Sequence, residues 1–235
     1  PTKGPFVCPD GRVEEREFHA GGPRADGAAR VLASLAETEH LPLLEKVALE
    51  SNPARAGSAI WLIADFQDKK AESSVLKIAQ QATGDIQDDA IRHLGWRGSR
   101  DVTPALLALR EKANDDLRGL VLLVLAQIWG DRLPEESPED ISPPWPTHMD
   151  ESTARELRKK VDALAMAAIA DPSTEDHVIE DCVGRLKLRE AIPILETRVF
   201  ARDPECAVTA LRNLGGPEAV RALLRLTYVV EADAP

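Results

Sequence analysis

Ala90-Ile-Arg-His-Leu94-Gly-Trp-Arg-Gly-Ser-Arg-Asp-Val102-Thr-Pro-Ala-Leu106 is the stretch that decides the fold, because both of its halves recur elsewhere in the chain. The first half is a small residue followed four positions later by a branched aliphatic. It returns as Ala59-Ile-Trp-Leu-Ile63, Cys182-Val-Gly-Arg-Leu186 and Ala210-Leu-Arg-Asn-Leu214. The second half returns as His40-Leu-Pro-Leu-Leu44, Ala191-Ile-Pro-Ile-Leu195 and Ala219-Val-Arg-Ala-Leu223. The offsets agree, since Leu35 to Pro42, Leu186 to Pro193 and Leu214 to Arg221 are each 7 residues apart. From copy to copy, Ile63 to Leu94 is 31 residues and Leu186 to Leu214 is 28. A period of this size marks a repeat architecture.

Working outward, apolar residues at helical spacing place a helix before each short polar turn and another after it. Proline is tolerated in the first turn of a helix, where its missing N–H has no partner to lose, so Pro42, Pro104 and Pro193 mark second-helix starts. One helical hairpin cannot bury its apolar face alone, whereas stacked hairpins share a core. The spacing predicts six hairpins. Their first helices fall at 26–36, 54–66, 85–95, 116–130, 174–186 and 204–214, and their second helices at 41–50, 71–82, 101–113, 153–170, 189–200 and 217–229.

Three segments depart from the period. Residues 1–24 are rich in Gly, Pro and charge and predict an irregular leader, with Phe6, Val7 and Phe18 laid over the first hairpin. Residues 25–235 hold the repeats, interrupted at 131–152 by an insertion with five prolines and seven carboxylates against the single cation Arg132. Such a composition predicts an extended surface loop. After it, Thr153-Ala-Arg-Glu156 has the form of a capping box. The last helix is apolar for a terminal cap at Leu223, Leu224, Leu226, Tyr228, Val229 and Val230, which suggests self-association or further repeats.

Composition narrows the function classes. Hydrophobic residues are 43% but aromatics only 4%, which suits helices packed through Ala and Leu better than a β-sandwich. The net charge of -11 disfavours nucleic acid, which needs a dense basic stripe. Cys8, Cys182 and Cys206 form no C-x-x-C pair, and Cys182 falls in a core column as a buried thiol. The most apolar run, Leu117 to Trp129, is too short for a bilayer span and carries Arg118 and Gln127. With no signal peptide in view, the chain is expected to be soluble and its compartment stays open, a cytoplasmic one being favoured. A first residue of Pro points to a processed or cut N-terminus.

The phrases ending at Leu106 and at Leu224 resemble bacterial HEAT-like repeats, of the short kind also found in phycobilisome lyase subunits. The resemblance covers most of residues 26 to 229. It implies an all-α, right-handed α-solenoid of about six hairpins, and a scaffold that binds other proteins along a curved surface. Enzymes of this family type are less well matched. The deoxyhypusine hydroxylase kind needs His-Glu pairs, and here His19, His40, His93, His148 and His177 are scattered with no His-Glu dipeptide. The DNA glycosylase kind needs a basic groove. The phycobilin lyase kind handles a tetrapyrrole, is not excluded by charge, and stands as the first alternative, a chromophore- or cofactor-handling accessory protein. No phosphate loop or nucleophile–base motif is present, so neither cofactor nor metal is expected.

Two clusters are candidate binding residues. Arg92 lies on a helix, and Trp96, Arg97 and Arg100 fall in the long turn that follows. An Arg-flanked Trp can anchor a peptide or stack on a ring. It can equally cover the edge of the repeats among solvated arginines. Trp145, in Pro143-Pro-Trp-Pro146, either docks into a partner or pins the loop back onto the helices. On the second helices, Lys77, Gln80, Arg110, Arg198 and Arg225 are expected to line a concave face and meet a protein partner. The carboxylate pairs Asp88-Asp89 and Asp115-Asp116 sit at helix starts, where the helix dipole favours them.

Overall fold

A computed structural model describes residues 2–7, 13–18, 38–131, 133, 144–201 and 204–232. The chain divides into two compact units, Pro1–Asp89 and Ala90–Pro235. Predicted helix 26–36 lies outside the described residues. The other predicted helices are all present, within three residues at either end.

The first unit opens on a β-hairpin, β1 (Thr2–Val7) and β2 (Val13–Phe18), paired antiparallel from Thr2↔Phe18 to Val7↔Val13. This corrects the irregular leader. The cue was Pro9-Asp10-Gly11, turn chemistry between two runs of strand length. Helices α1 (Leu41–Glu50), α2 (Pro53–Asp65) and α3 (Lys69–Gln81) follow and pack on one another. Asn52 caps α2 by accepting from Arg55 N at 3.1 Å, and Asp68 caps α3 by accepting from Lys70 N at 2.9 Å.

Helix α4 (Asp85–Arg97) contains the unit boundary. The second unit continues with α5 (Thr103–Lys112), α6 (Asp115–Trp129), α7 (Glu151–Ala170), α8 (Asp176–Leu186), α9 (Ile192–Ala201), α10 (Pro204–Leu214) and α11 (Gly216–Ala232). Along the chain, α5 packs on α6, α6 on α7, α7 on α8, α9 on α10 and α10 on α11. The first helices of successive pairs also lie side by side, α6 on α8 and α8 on α10, while α9 lies against α11.

The repeated phrases are the core. Their small members Ala59, Ala90, Cys182 and Ala210 are buried, as are the aliphatics Ile63, Leu94, Leu186 and Leu214. Small residues let neighbouring helices approach, and the aliphatic one turn later fills the seam between them. At Gly95 the approach is closest, since a Cβ there would lie 2.1 Å from Gln127 Oε1 and 3.0 Å from Val124 Cγ2 on α6. Among the described residues, no helix is long and apolar enough to cross a membrane.

The insertion behaves differently from a free surface loop at the parts that are described. Asp131 N donates to Arg185 O at 2.8 Å, and the returning segment 144–150 runs without helix into α7. The cap of α7 is Asp150 rather than the predicted Thr153. Its carboxylate accepts from Ser152 N at 2.9 Å, Thr153 N at 3.0 Å and Thr153 Oγ1 at 2.7 Å. Thr153 is therefore a donor in the first turn, and the helix begins two residues earlier than its pattern suggested.

Candidate functional site

The candidate cluster sits where α4 ends. Trp96 and Arg97 belong to its last turn, not to the following loop, which shortens the predicted turn to Gly98, Ser99 and a 3-10 turn at Arg100–Val102. On α4, Arg92 and Trp96 are four residues apart and share one exposed face. Trp96 is 55% exposed, a large fraction for an indole, and its ring meets His93 edge-on at 5.1 Å between centroids. Burial, and then the nearby Arg97 charge, pull the His93 pKa down to about 4, so the imidazole is neutral at pH 7.

One position further, Arg97 faces the other way. It is 5% exposed, with its guanidinium 5.4 Å from the centroid of the Trp145 ring. Trp145 is itself 1% exposed, and its backbone N donates to Arg97 O at 2.7 Å. The fold-back alternative is thus the one the molecule adopts, and Trp145 is withdrawn from any partner. Arg100 lies over Trp129 at 4.8 Å, while Trp129 Nε1 donates to Thr103 Oγ1 at 2.9 Å. Asp101 secures the returning loop by accepting from His148 N at 3.0 Å and Met149 N at 2.9 Å. Arg100 N adds a bond to Thr147 Oγ1 at 3.3 Å.

Charges of both signs meet at this edge, since Arg92, Arg97 and Arg100 stand with Asp85, Asp88, Asp89 and Asp101, and Asp88 and Asp89 lie one turn before Arg92 on α4. The Asp101 oxygens are already engaged by the two loop amides. Neither exposed arginine, Arg92 or Arg100, makes an ion pair with any described residue, whereas Arg118, Arg155, Arg158, Arg185, Arg221 and Arg225 each do.

Three of the residues expected on a concave face make contacts between helices. Lys77 on α3 pairs with Glu45 on α1, and Glu45 also accepts from Ser74 Oγ at 2.6 Å. Arg225 on α11 reaches Glu196 on α9, with Nε at 2.9 Å from Oε1. Arg198 on α9 donates to Ile169 O at 3.1 Å and to Asp171 O, the carbonyls that end α7. These three cations bridge neighbouring helices, while the side chains of Lys77 and Arg225 stay half or more exposed. Arg110 is half-buried, with its pKa lowered by burial and then by the Arg118 charge. Gln80 is exposed on α3.

Sequence reading missed Arg158. From the middle of α7 it donates to Trp129 O and Leu186 O, each at 2.7 Å, and to Asp162 Oδ1 at 2.7 Å. One guanidinium thus serves the C-terminal carbonyls of α6 and α8, where a cation is favoured by the helix dipoles. No local pattern flags such a residue. Glu45 and Glu196 could have been found, because each lies three residues after a second-helix proline, Pro42 or Pro193. Each also takes its cation from the next repeat, 32 and 29 residues on.

Among the described residues, no group of three or more His, Cys, Asp or Glu side chains could hold a metal ion. Burial pushes the Cys182 thiol up to about 12, an inert core position. No family model matches the chain, and no curated protein matches it in sequence.

Proposed function

We propose that this protein is a non-enzymatic scaffold, a right-handed HEAT-like α-solenoid that binds a protein partner. The observation that carries the reading is the edge formed by Arg92 and Trp96. An indole more than half exposed stands one turn from an arginine that has no ion-pair partner among the described residues. Exposing an indole forgoes about 2–3 kcal/mol of burial, and aromatic and arginine anchors dominate protein interfaces. Lys77, Arg198 and Arg225, by contrast, are engaged between helices. A rigid succession of packed helices holds such an anchor without ordering cost on binding.

The test is gentle purification of the tagged chain from its native host, followed by mass spectrometry and an absorption spectrum. A stoichiometric protein that co-elutes with the wild type and is lost from Trp96→Ala supports the scaffold. A bound chromophore without a protein partner would replace it with a tetrapyrrole-handling role.

A further inference from the structure

We infer that the returning segment 144–150 is a strap that positions Trp96, so that the indole is firmly displayed only while the strap is closed. This rests on the scaffold reading for its consequence and adds how the edge is controlled. Trp96 stands in the last turn of α4, where a helix frays most readily because its final carbonyls have no partner within the helix. Two of those carbonyls are taken here. Gly98 N donates to Leu94 O at 2.7 Å, and Trp145 N, arriving from the strap, donates to Arg97 O at 2.7 Å. The exit from the helix is tight, since a Cβ on Gly98 would lie 2.2 Å from Leu94 O.

The strap also holds a side chain of that turn. The buried Trp145 ring packs on the Arg97 guanidinium, so Arg97, next to Trp96, is fixed by main chain and side chain alike. Two further anchors lie just beyond. Asp101 Oδ1 accepts from His148 N at 3.2 Å and from Met149 N at 2.9 Å, and Arg100 N reaches Thr147 Oγ1 at 3.3 Å. Each of these strap contacts joins residues 97–101 to residues 145–149, so loosening the strap frees the end of α4 first. A frayed last turn scatters Trp96 over many orientations, and ordering it on binding weakens a partner's affinity. With the strap closed, that ordering is complete before binding.

The probe is the full chain labelled with fluorotryptophan and read by fluorine NMR, the Trp96 and Trp61 resonances being assigned from Trp96→Phe and Trp61→Phe. Asp101→Ala removes the acceptor of both strap amides, and Trp145→Ala removes the buried ring. Each should narrow the Trp96 resonance and move it toward that of the free amino acid, while Trp61, in the first unit, stays in place. Asp101→Asn keeps Oδ1, which both amides reach, and should restore the wild-type position. A Trp96 resonance unmoved by Asp101→Ala and Trp145→Ala, or an equal change at Trp61, overturns the inference. In the native-host capture, a closed state reduced to about one-third populated weakens apparent affinity about threefold, so Asp101→Ala should retain correspondingly less partner. A partner that needs Trp96 but is retained in full by Asp101→Ala refutes the control and leaves the scaffold standing. A partner indifferent to Trp96 refutes the scaffold reading, while the fluorine resonance still decides whether the strap positions the indole.

Discussion

Replacing Trp145 by alanine separates a pin from a docking residue. The side chain is 1% exposed, so truncation forfeits the burial of a whole indole and leaves a cavity, together about 3–5 kcal/mol. The Arg97 guanidinium, 5% exposed and 5.4 Å from the ring centroid, loses its stacking partner, an added 1–2 kcal/mol or so. Partial collapse of the site offsets some of this, and we take about 4 kcal/mol for the sum. For a domain of this size each kcal/mol moves the melting point by roughly 2–4 °C, so Tm should fall by roughly 8–16 °C. Thermal unfolding followed by circular dichroism measures it. Hydrogen exchange at the Trp145 amide, which bonds Arg97 O, should accelerate in the same variant. Trp145→Phe retains most of the apolar contact and should lose less than half as much. A Tm shift below about 2 °C for Trp145→Ala would show that the loop is not held by this residue and would refute the pinning argument.

Three further outcomes follow from the same geometry. Arg158→Met removes the donor shared by Trp129 O and Leu186 O and should cost about 2 kcal/mol in urea unfolding, the side chain being one-third exposed. His93, with a folded pKa of about 4 against roughly 6.5 when unfolded, is protonated first in the unfolded chain. Stability is therefore full above about pH 6.5 and drains as pH falls toward 4, by roughly 3 kcal/mol. His93→Gln should flatten the pH profile of the melting point across that window. Glu45, Asp150 and Asp171, whose carboxyls are held below their usual values, lose their contribution only at lower pH. Arg225→Ala breaks an exposed pair with Glu196 and should change the unfolding midpoint by less than about 1 kcal/mol.

Helices were legible in this sequence because one physical signal dominates it. Ala59, Ala90, Cys182 and Ala210, each followed four residues later by a buried aliphatic, write the helix period and the packing seam in the same letters. Proline at the second-helix starts fixed the hairpin turns. The β-hairpin was harder, since Val13-Glu-Glu-Arg-Glu-Phe18 alternates weakly and only the Pro-Asp-Gly sequence between the two runs hinted at it. Side-chain direction was less accessible still. Trp96 and Arg97 are neighbours in sequence, yet one faces solvent and the other packs under Trp145, because α4 continues two residues past its predicted end. Lys77, Arg198 and Arg225 look like surface cations in a single repeat. Their partners lie one repeat away, and only the register between repeats reveals that they are taken.

Photo-crosslinking from position 96 tests the central claim most directly. A benzoyl-phenylalanine placed there keeps an aromatic at the edge, and irradiation in the native host captures whatever covers it. The same group at exposed Lys159 on α7 serves as the reference. Binding through the Arg92–Trp96 edge predicts one dominant protein adduct from position 96, reduced by Arg92→Glu and absent from position 159. No adduct at 96, or an equal one at 159, would contradict it.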